Sequence, residues 1–317
     1  MIRSYNTAIV LLTAALAIAW ACHLSAADTP KVKLTEEAQV VKVEIDGKAF
    51  TQYHYADDFI YPYVRPFLWP VLAADGTEVS IDQAQYKELH PHQRSIWIGH
   101  RSVNGANHWK ITTRPIQPKQ RSVGPLKVEG DTIEHHLCWE DKEGKPMLNE
   151  TRILRFSGSS DGVRALDVTM RFTPIDSDVV FAEGTDDGIF AIRPIPSISH
   201  QPQLLNSTGA TGEACYLKRA DWCDESGDIN GHIYGMAILD HPENPRHPPP
   251  WHARIDARLS ADPFALHQAE KSKYPKGSGD LTMAKGTVTV FRYRLLIHTG
   301  DAQQAKIADK YQQYITE

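Results

Sequence analysis

Strand-length runs in which apolar and polar residues alternate recur along this chain, and they constrain its fold more than any other feature. Val41, Val43 and Ile45 alternate with Lys42 and Glu44; Leu166, Val168, Met170 and Phe172 alternate with Asp167, Thr169 and Arg171. A period of two places one set on each side of an extended backbone, the pattern of a strand with one buried face. Further strands are expected at 67–72, 94–99, 133–139, 151–156, 188–193, 233–239 and 287–298, separated by breaks such as Asp46-Gly47, Asp75-Gly76, Glu143-Gly144, Ser157-Gly158 and Asp161-Gly162. Many short strands with such punctuation predict an all-β protein, a large antiparallel β-sandwich of jelly-roll-like type. One short helix is expected at the C-terminus, from about Ala302 to Tyr314, with Asp301 as its N-cap. Two irregular stretches, the proline-rich 241–254 and 267–286, interrupt the pattern. No repeat or composition shift divides residues 28–317, which read as a single domain.

The first 27 residues read as a signal peptide. Arg3 is the only charge before Asp28, and Ala8 to Ala21 is an apolar run of about 14 residues, too short to span a bilayer but of signal-sequence length. Ser25-Ala26-Ala27 supplies small residues for cleavage, so the mature chain is expected to be exported, periplasmic or extracellular. A lipid anchor at Cys22 is the weaker alternative, because Ala19 stands where such a cleavage box usually has Leu or Val. No later stretch is apolar enough to span a membrane. The net charge of −5 is spread along the chain, which argues against nucleic acid and against a polybasic membrane patch. Export permits a disulfide; Cys215 and Cys223 are the closest mature pair, and the sequence leaves open whether they bridge.

Three segments carry the residues suited to chemistry. The first runs from Glu88 to Trp109 and holds His90, His92, His100 and His108 with Arg94, Arg101, Asn104, Asn107 and two tryptophans. Imidazole exchanges protons or holds a metal near neutral pH, and in an extended chain His90 and His92 point to one side. Asn104-Gly105 reads as a tight turn. The second segment is Asp240 to Arg254, where prolines stiffen a loop containing Arg246, His252 and Arg254, and where Trp251 offers a flat face for a sugar. The third, Phe181 to Arg193, supplies Glu183 and Asp187 as candidate bases or orienters and Arg193 as a substrate ligand. An early aromatic stretch, Tyr53 to Trp69 with His54 and Arg65, is a candidate cleft wall. No Gly-x-Gly-x-x-Gly, phosphate loop, Gly-x-Ser-x-Gly or His-Glu-x-x-His occurs, which removes nucleotide cofactors and serine hydrolysis as leading ideas.

The run His90 to His100, with Val103-Asn104-Gly105 and Trp109, resembles the opening motif of the methane oxygenase PmoA-like family, a domain of unknown function found in exported bacterial proteins. Asp187 to Arg193, Gly209 to Glu213, His241 to His247, Trp251 to Arg254, Asp262-Pro263-Phe264, Arg292-Tyr293-Arg294 and His298 to Asp301 continue the likeness over nearly the whole mature chain. Gln93 and Arg101 depart from it, standing where the family more often has His and Gly. The resemblance implies a supersandwich fold like that of sugar mutarotases and lyases, in a protein of polysaccharide-degrading bacteria.

Together these readings predict an exported carbohydrate-active enzyme performing acid–base chemistry on a sugar or oligosaccharide: epimerisation, elimination or glycosidic cleavage. His92, His100, His252, Glu183 and Asp187 are the expected catalytic residues. His90, Arg94, Asn104, Arg193, Arg246, Trp251 and Arg254 are the expected substrate ligands. The same three histidines, His92, His100 and His252, are candidates for a divalent metal. Two alternatives stand beside it: a non-catalytic glycan-binding module, and a copper or iron oxygenase as the family label implies. All three require that the segments near 90–109, 183–193 and 241–254 meet.

Overall fold

A computed structural model describes residues 30–55, 65–82, 90, 92–110, 118–184, 188–255 and 258–317. Its strands form two large antiparallel sheets. The first has the order β1 (Val32–Glu36), β2 (Val40–Ile45), β3 (Lys48–His54), β4 (Phe67–Val71), β5 (Ile96–Ile98), β12 (Phe190–Ile192), β17 (Leu259–Ala261) and β16 (Trp251–His252). The second has the order β13 (Gln203–Asn206), β14 (Trp222–Ile229), β15 (His232–Asp240), β19 (Thr289–Thr299), β10 (Arg164–Pro174), β9 (Pro146–Gly158), β8 (Thr132–Glu140) and β6 (Gln120–Ser122), with β7 (Lys127–Glu129) also on β8. A two-stranded piece, β11 (Val179–Phe181) with β18 (Leu281–Met283), completes the β structure.

One large core fills the space between the sheets. Val41, Val43 and Ile45 from β2 and Leu166, Val168, Met170 and Phe172 from β10 all enter it, as their alternation requires. The architecture is therefore the antiparallel sandwich that the period-two runs predict. Asp46-Gly47 closes the β2–β3 hairpin with both residues at positive φ, 52° and 72°. Asn104-Gly105 does the same, at 48° and 79°, with Val103 and Ala106 exchanging two 2.9 Å backbone bonds.

The C-terminal helix begins later than the sequence predicts. The Asp301 carboxylate does accept the N–H groups of Gln303 and Gln304, but only a turn follows. Lys306 adopts a left-handed φ of 54° there, and the helix, α3, runs from Ile307 to Tyr314. It covers a second apolar cluster, Trp222, Ala237, Leu239 and Leu296, on the outer side of the second sheet. Two four-residue helices, α1 (Pro196–Ser199) and α2 (Leu266–Ala269), lie in connections, and the two stretches read as irregular contain β16, α2 and β18. Cys138, Cys215 and Cys223 are buried free thiols, with Cys215 and Cys223 in hydrogen-bond contact.

Candidate functional site

The strand register places His54, Phe67, Trp97, Ala191, Ser260 and His252 opposite one another in a single row across β3, β4, β5, β12, β17 and β16. Directly opposed residues of antiparallel strands share a face. Their chain neighbours Leu68, Ile96, Ile98, Phe190, Ile192, Leu259 and Ala261 point into the core, so the row lies on the outer face of the first sheet. The segments singled out near 90–109, 183–193 and 241–254 thus share one sheet face, β5 pairing directly with β12 and β16 joined to β12 through β17. Two glycines permit that approach. A Cβ on Gly188 would stand 2.2 Å from the Ala261 carbonyl oxygen, and one on Gly99 would stand 2.5 Å from that of His108.

A second layer covers this row with aromatic rings and guanidinium groups. The His54 ring stacks on Phe67 at 4.6 Å, and Trp109 leans on Trp97 at 5.1 Å. Arg94 lies 4.1 Å over Phe67, Arg258 5.0 Å over Trp109 and Arg65 6.0 Å from the Trp97 ring centre. Arg94 is held by both oxygens of the buried Asp82, at 2.5 and 2.6 Å. Arg65 differs. It donates to the backbone carbonyls of His108, at 3.2 Å, and His92, at 2.5 Å, tying the two ends of the histidine segment together. Burial, then repulsion from Arg94 and Arg152, pushes its guanidinium down to about 9, and its buried Nε has no hydrogen-bond partner.

Two imidazoles of this face, His92 and His252, differ in setting. His92, with its ring 5.5 Å from that of His90, is pushed down to about 3, first by burial and then by the positive charge of Arg65, His90, Lys110 and Arg258. It is therefore a neutral base at physiological pH. His252 lies next to Arg258 from the other side: its Nδ1 is 3.3 Å from the Arg258 carbonyl oxygen, which can only accept, so Nδ1 carries the proton. Its ring stands edge-on to Tyr216 at 5.4 Å, and the exposed Arg254 lies 5.3 Å over that same tyrosine.

Several residues expected at the site serve the scaffold instead. His100 is fully buried between Phe181, at 5.3 Å, and Phe264, at 4.3 Å, with Nε2 2.9 Å from the Ala182 carbonyl oxygen. Trp251 is fully buried, its Nε1 donating to Ala220 O at 2.7 Å, so it anchors the core and presents no face to a sugar. The Glu183 carboxylate accepts the N–H groups of Gly277 and Gly279 at 3.1 and 2.9 Å. Arg246 donates to the carbonyls of Pro263, Gly279 and Asp280, closing the same loop from the other side. Asn104 uses its side-chain amide on Asp178 and Val180 beside its turn. Among the described residues no three His, Cys, Asp or Glu side chains are grouped to hold a metal ion, so His92, His100 and His252 do not form the donor set expected of them. Arg193 is nearly buried, its charge felt by the buried Glu225 across the sandwich. Asp187 lies outside the described residues.

Sequence reasoning passed over Arg258, Ser260 and Lys110. The alternation of Arg258 and Ser260 with the core residues Leu259 and Ala261 carried the signal, but only over four residues, too short a run to read as a strand on its own.

Fold and face together define a β-sandwich with a histidine–arginine–aromatic cluster, the candidate site, on the outer face of one sheet. The chain matches the family of unknown function DUF6807 over residues 40–312, and it belongs to that family. No curated protein matches it in sequence. Among solved structures it is similar to a GalM/aldose epimerase homologue from C. elegans, at 7% identity and a TM-score of 0.35, over 86% of this chain and 99% of that one. It is also similar to a galactose mutarotase related enzyme from Lactobacillus acidophilus, at 9% identity and a TM-score of 0.31, over 84% and 97% of the two chains. Likenesses this distant bear on neither the site nor the substrate.

Proposed function

We propose that this protein is an exported enzyme that moves protons on a sugar at the outer face of the first sheet, with His92 as the base. One observation carries the reading: His92, 8% exposed, is held uncharged beside Arg65, Arg258 and Lys110 on a face that also carries His252. A base must be deprotonated to act, and fixed positive charge beside it stabilises the negative charge that develops as a proton leaves carbon or oxygen. His252, with its proton on Nδ1, stands on the same face. Glycosidic cleavage conventionally needs a pair of carboxylates. The described carboxylates of this face are Asp82, which holds Arg94, and Glu78, which accepts from Trp69 Nε1, while imidazoles and cations surround His92, so epimerisation or elimination is the better match. The resemblance to methane oxygenase PmoA-like proteins, with the export and carbohydrate setting it implies, supports the same reading.

The test is incubation of the mature protein with a panel of mono- and oligosaccharides, followed by NMR. Wild type should convert at least one of them, and His92→Gln should convert it at least ~10²-fold more slowly, the usual contribution of general base catalysis, with an unchanged melting temperature. Binding without any conversion would make the protein a glycan-binding module. Equal turnover by His92→Gln would remove His92 from the chemistry.

A further inference from the structure

Among the described residues, the charged neighbours that shift two groups at this face, Arg65 and His92, are all cations. For Arg65 these are Arg94 and Arg152; for His92 they are Arg65, His90, Lys110 and Arg258. Asp82 is committed to Arg94 through both oxygens, and Glu150 is committed in the same way to Arg152, at 2.7 and 2.8 Å. Arg65 spends its described bonds on two carbonyl oxygens, which carry no charge to offset its own, and it is 6% exposed. A guanidinium removed from water without a counter-charge is costly. The exposed Lys110 extends the positive surface outward from Trp109, on which Arg258 lies.

We propose that the substrate is a sugar carrying a carboxylate, a uronic acid or uronate oligosaccharide, and that Arg65, Arg258 and Lys110 hold that carboxylate beside His92. The planar guanidinium of Arg258, backed by an indole, is suited to two parallel bonds to a carboxylate, and Lys110 adds a point charge at the mouth. The bound anion also supplies a counter-charge that no described residue gives Arg65 and returns basicity to His92, so substrate and base improve one another. This inference rests on the sugar-site reading above.

Calorimetry of the mature protein with D-galacturonate, D-glucuronate and trigalacturonate, against D-galactose, D-glucose and D-galactose 6-sulfate, tests it. At least one uronate should bind ten-fold or more tighter than its neutral counterpart, and its affinity should fall as salt rises. Lys110→Ala, a substitution at an exposed position that spares the packed layer, should weaken that binding roughly three- to ten-fold, and Arg258→Lys more. Neutral sugars bound as tightly as uronates, or no uronate binding at all, would overturn the proposal. A 6-sulfate bound as well as the uronate would overturn the carboxylate assignment. Turnover of neutral sugars alone would leave the enzyme reading standing and this one fallen; uronate binding lost in Lys110→Ala, with no product from any sugar, would do the reverse.

Discussion

At the scale of single residues, protonation is set by burial and neighbours more than by residue type. His92 is depressed to about 3, so kcat/KM on a uronate should show no acid limb near the ordinary histidine value. The profile should stay flat from about pH 7 down to 5; a fall centred near pH 6.5 that vanishes in His92→Gln would show that His92 titrates as an ordinary histidine, and one that persists would assign the base elsewhere. Glu225 makes an independent case. Its carboxyl is fully buried, neither oxygen has a hydrogen-bond partner, and burial raises it well above the ordinary carboxylate range, against the pull of Arg193. With the folded value above the unfolded one, its contribution is intact below the unfolded value, about 4.3. Stability is lost as pH rises towards the folded value, by about 1.4 kcal/mol per pH unit. Glu225→Gln should remove that slope, gaining on wild type between pH 5 and 7 in urea melts; parallel wild-type and variant curves would show that the carboxyl ionises freely. Nothing in the sequence announces this residue. It falls in the polar run Asp224-Glu225-Ser226, outside the strands expected from alternation, yet the strand β14 carries it into the core. His92 and His252 were legible as imidazoles near conformational punctuation, but so was His100. Only packing between Phe181 and Phe264 separates the scaffold histidine from the other two.

At the scale of elements, the long alternating runs were legible and the short ones carried the site. β10 and β19 hold eleven residues each, long enough for period two to stand out. β5, β12 and β17 have three residues each and β16 has two, so their pairing follows from the tertiary fold rather than from local pattern. Trp251 shows the consequence: the sequence gives a tryptophan in a proline-rich loop, while its place in β16, opposite Ala261, turns its ring inward. The same dependence makes Gly188 a sensitive position. A methyl group there meets the Ala261 backbone oxygen, which cannot swing aside as a flexible side chain would, so β12 and β17 must part. Gly188→Ala should cost about 1–3 kcal/mol, the usual penalty of overpacking, and should lower sugar affinity as well, because Ala191 and Ser260 lie in the row that β12 and β17 share. Circular dichroism melts and calorimetry read the two effects; a variant with both unchanged would show that the strands have room that the backbone spacing denies.

Across the whole molecule, the two sheets are unequal in how firmly they are tied. β10 faces β9 over eleven residue pairs and β19 over nine, and β15 faces β19 over seven. On the site side, β5 and β12 share three pairs, β12 and β17 three, β4 and β5 two, and β16 and β17 two. Each short ladder gives few cooperative backbone bonds, so local opening costs less there than in the second sheet. The site end of the first sheet is held largely by side chains: Arg65 across the 92 and 108 segments, Arg94 on Asp82, and Glu183 with Arg246 around the 277–280 loop. Binding that engages Arg65, Arg258 and Lys110 would cross-link these pieces, and a ligand stabilises whatever opening it opposes in proportion to its saturation. Native-state hydrogen exchange should therefore find the amides of β9, β10 and β19 exchanging only by global unfolding. Those of β5, β12, β16 and β17 should exchange by a lower-energy opening that a saturating uronate selectively suppresses. Uniform protection of both sheets, or slowing by uronate that spares β5, β12, β16 and β17, would separate the ligand from these strands and send the search for its site elsewhere on the surface.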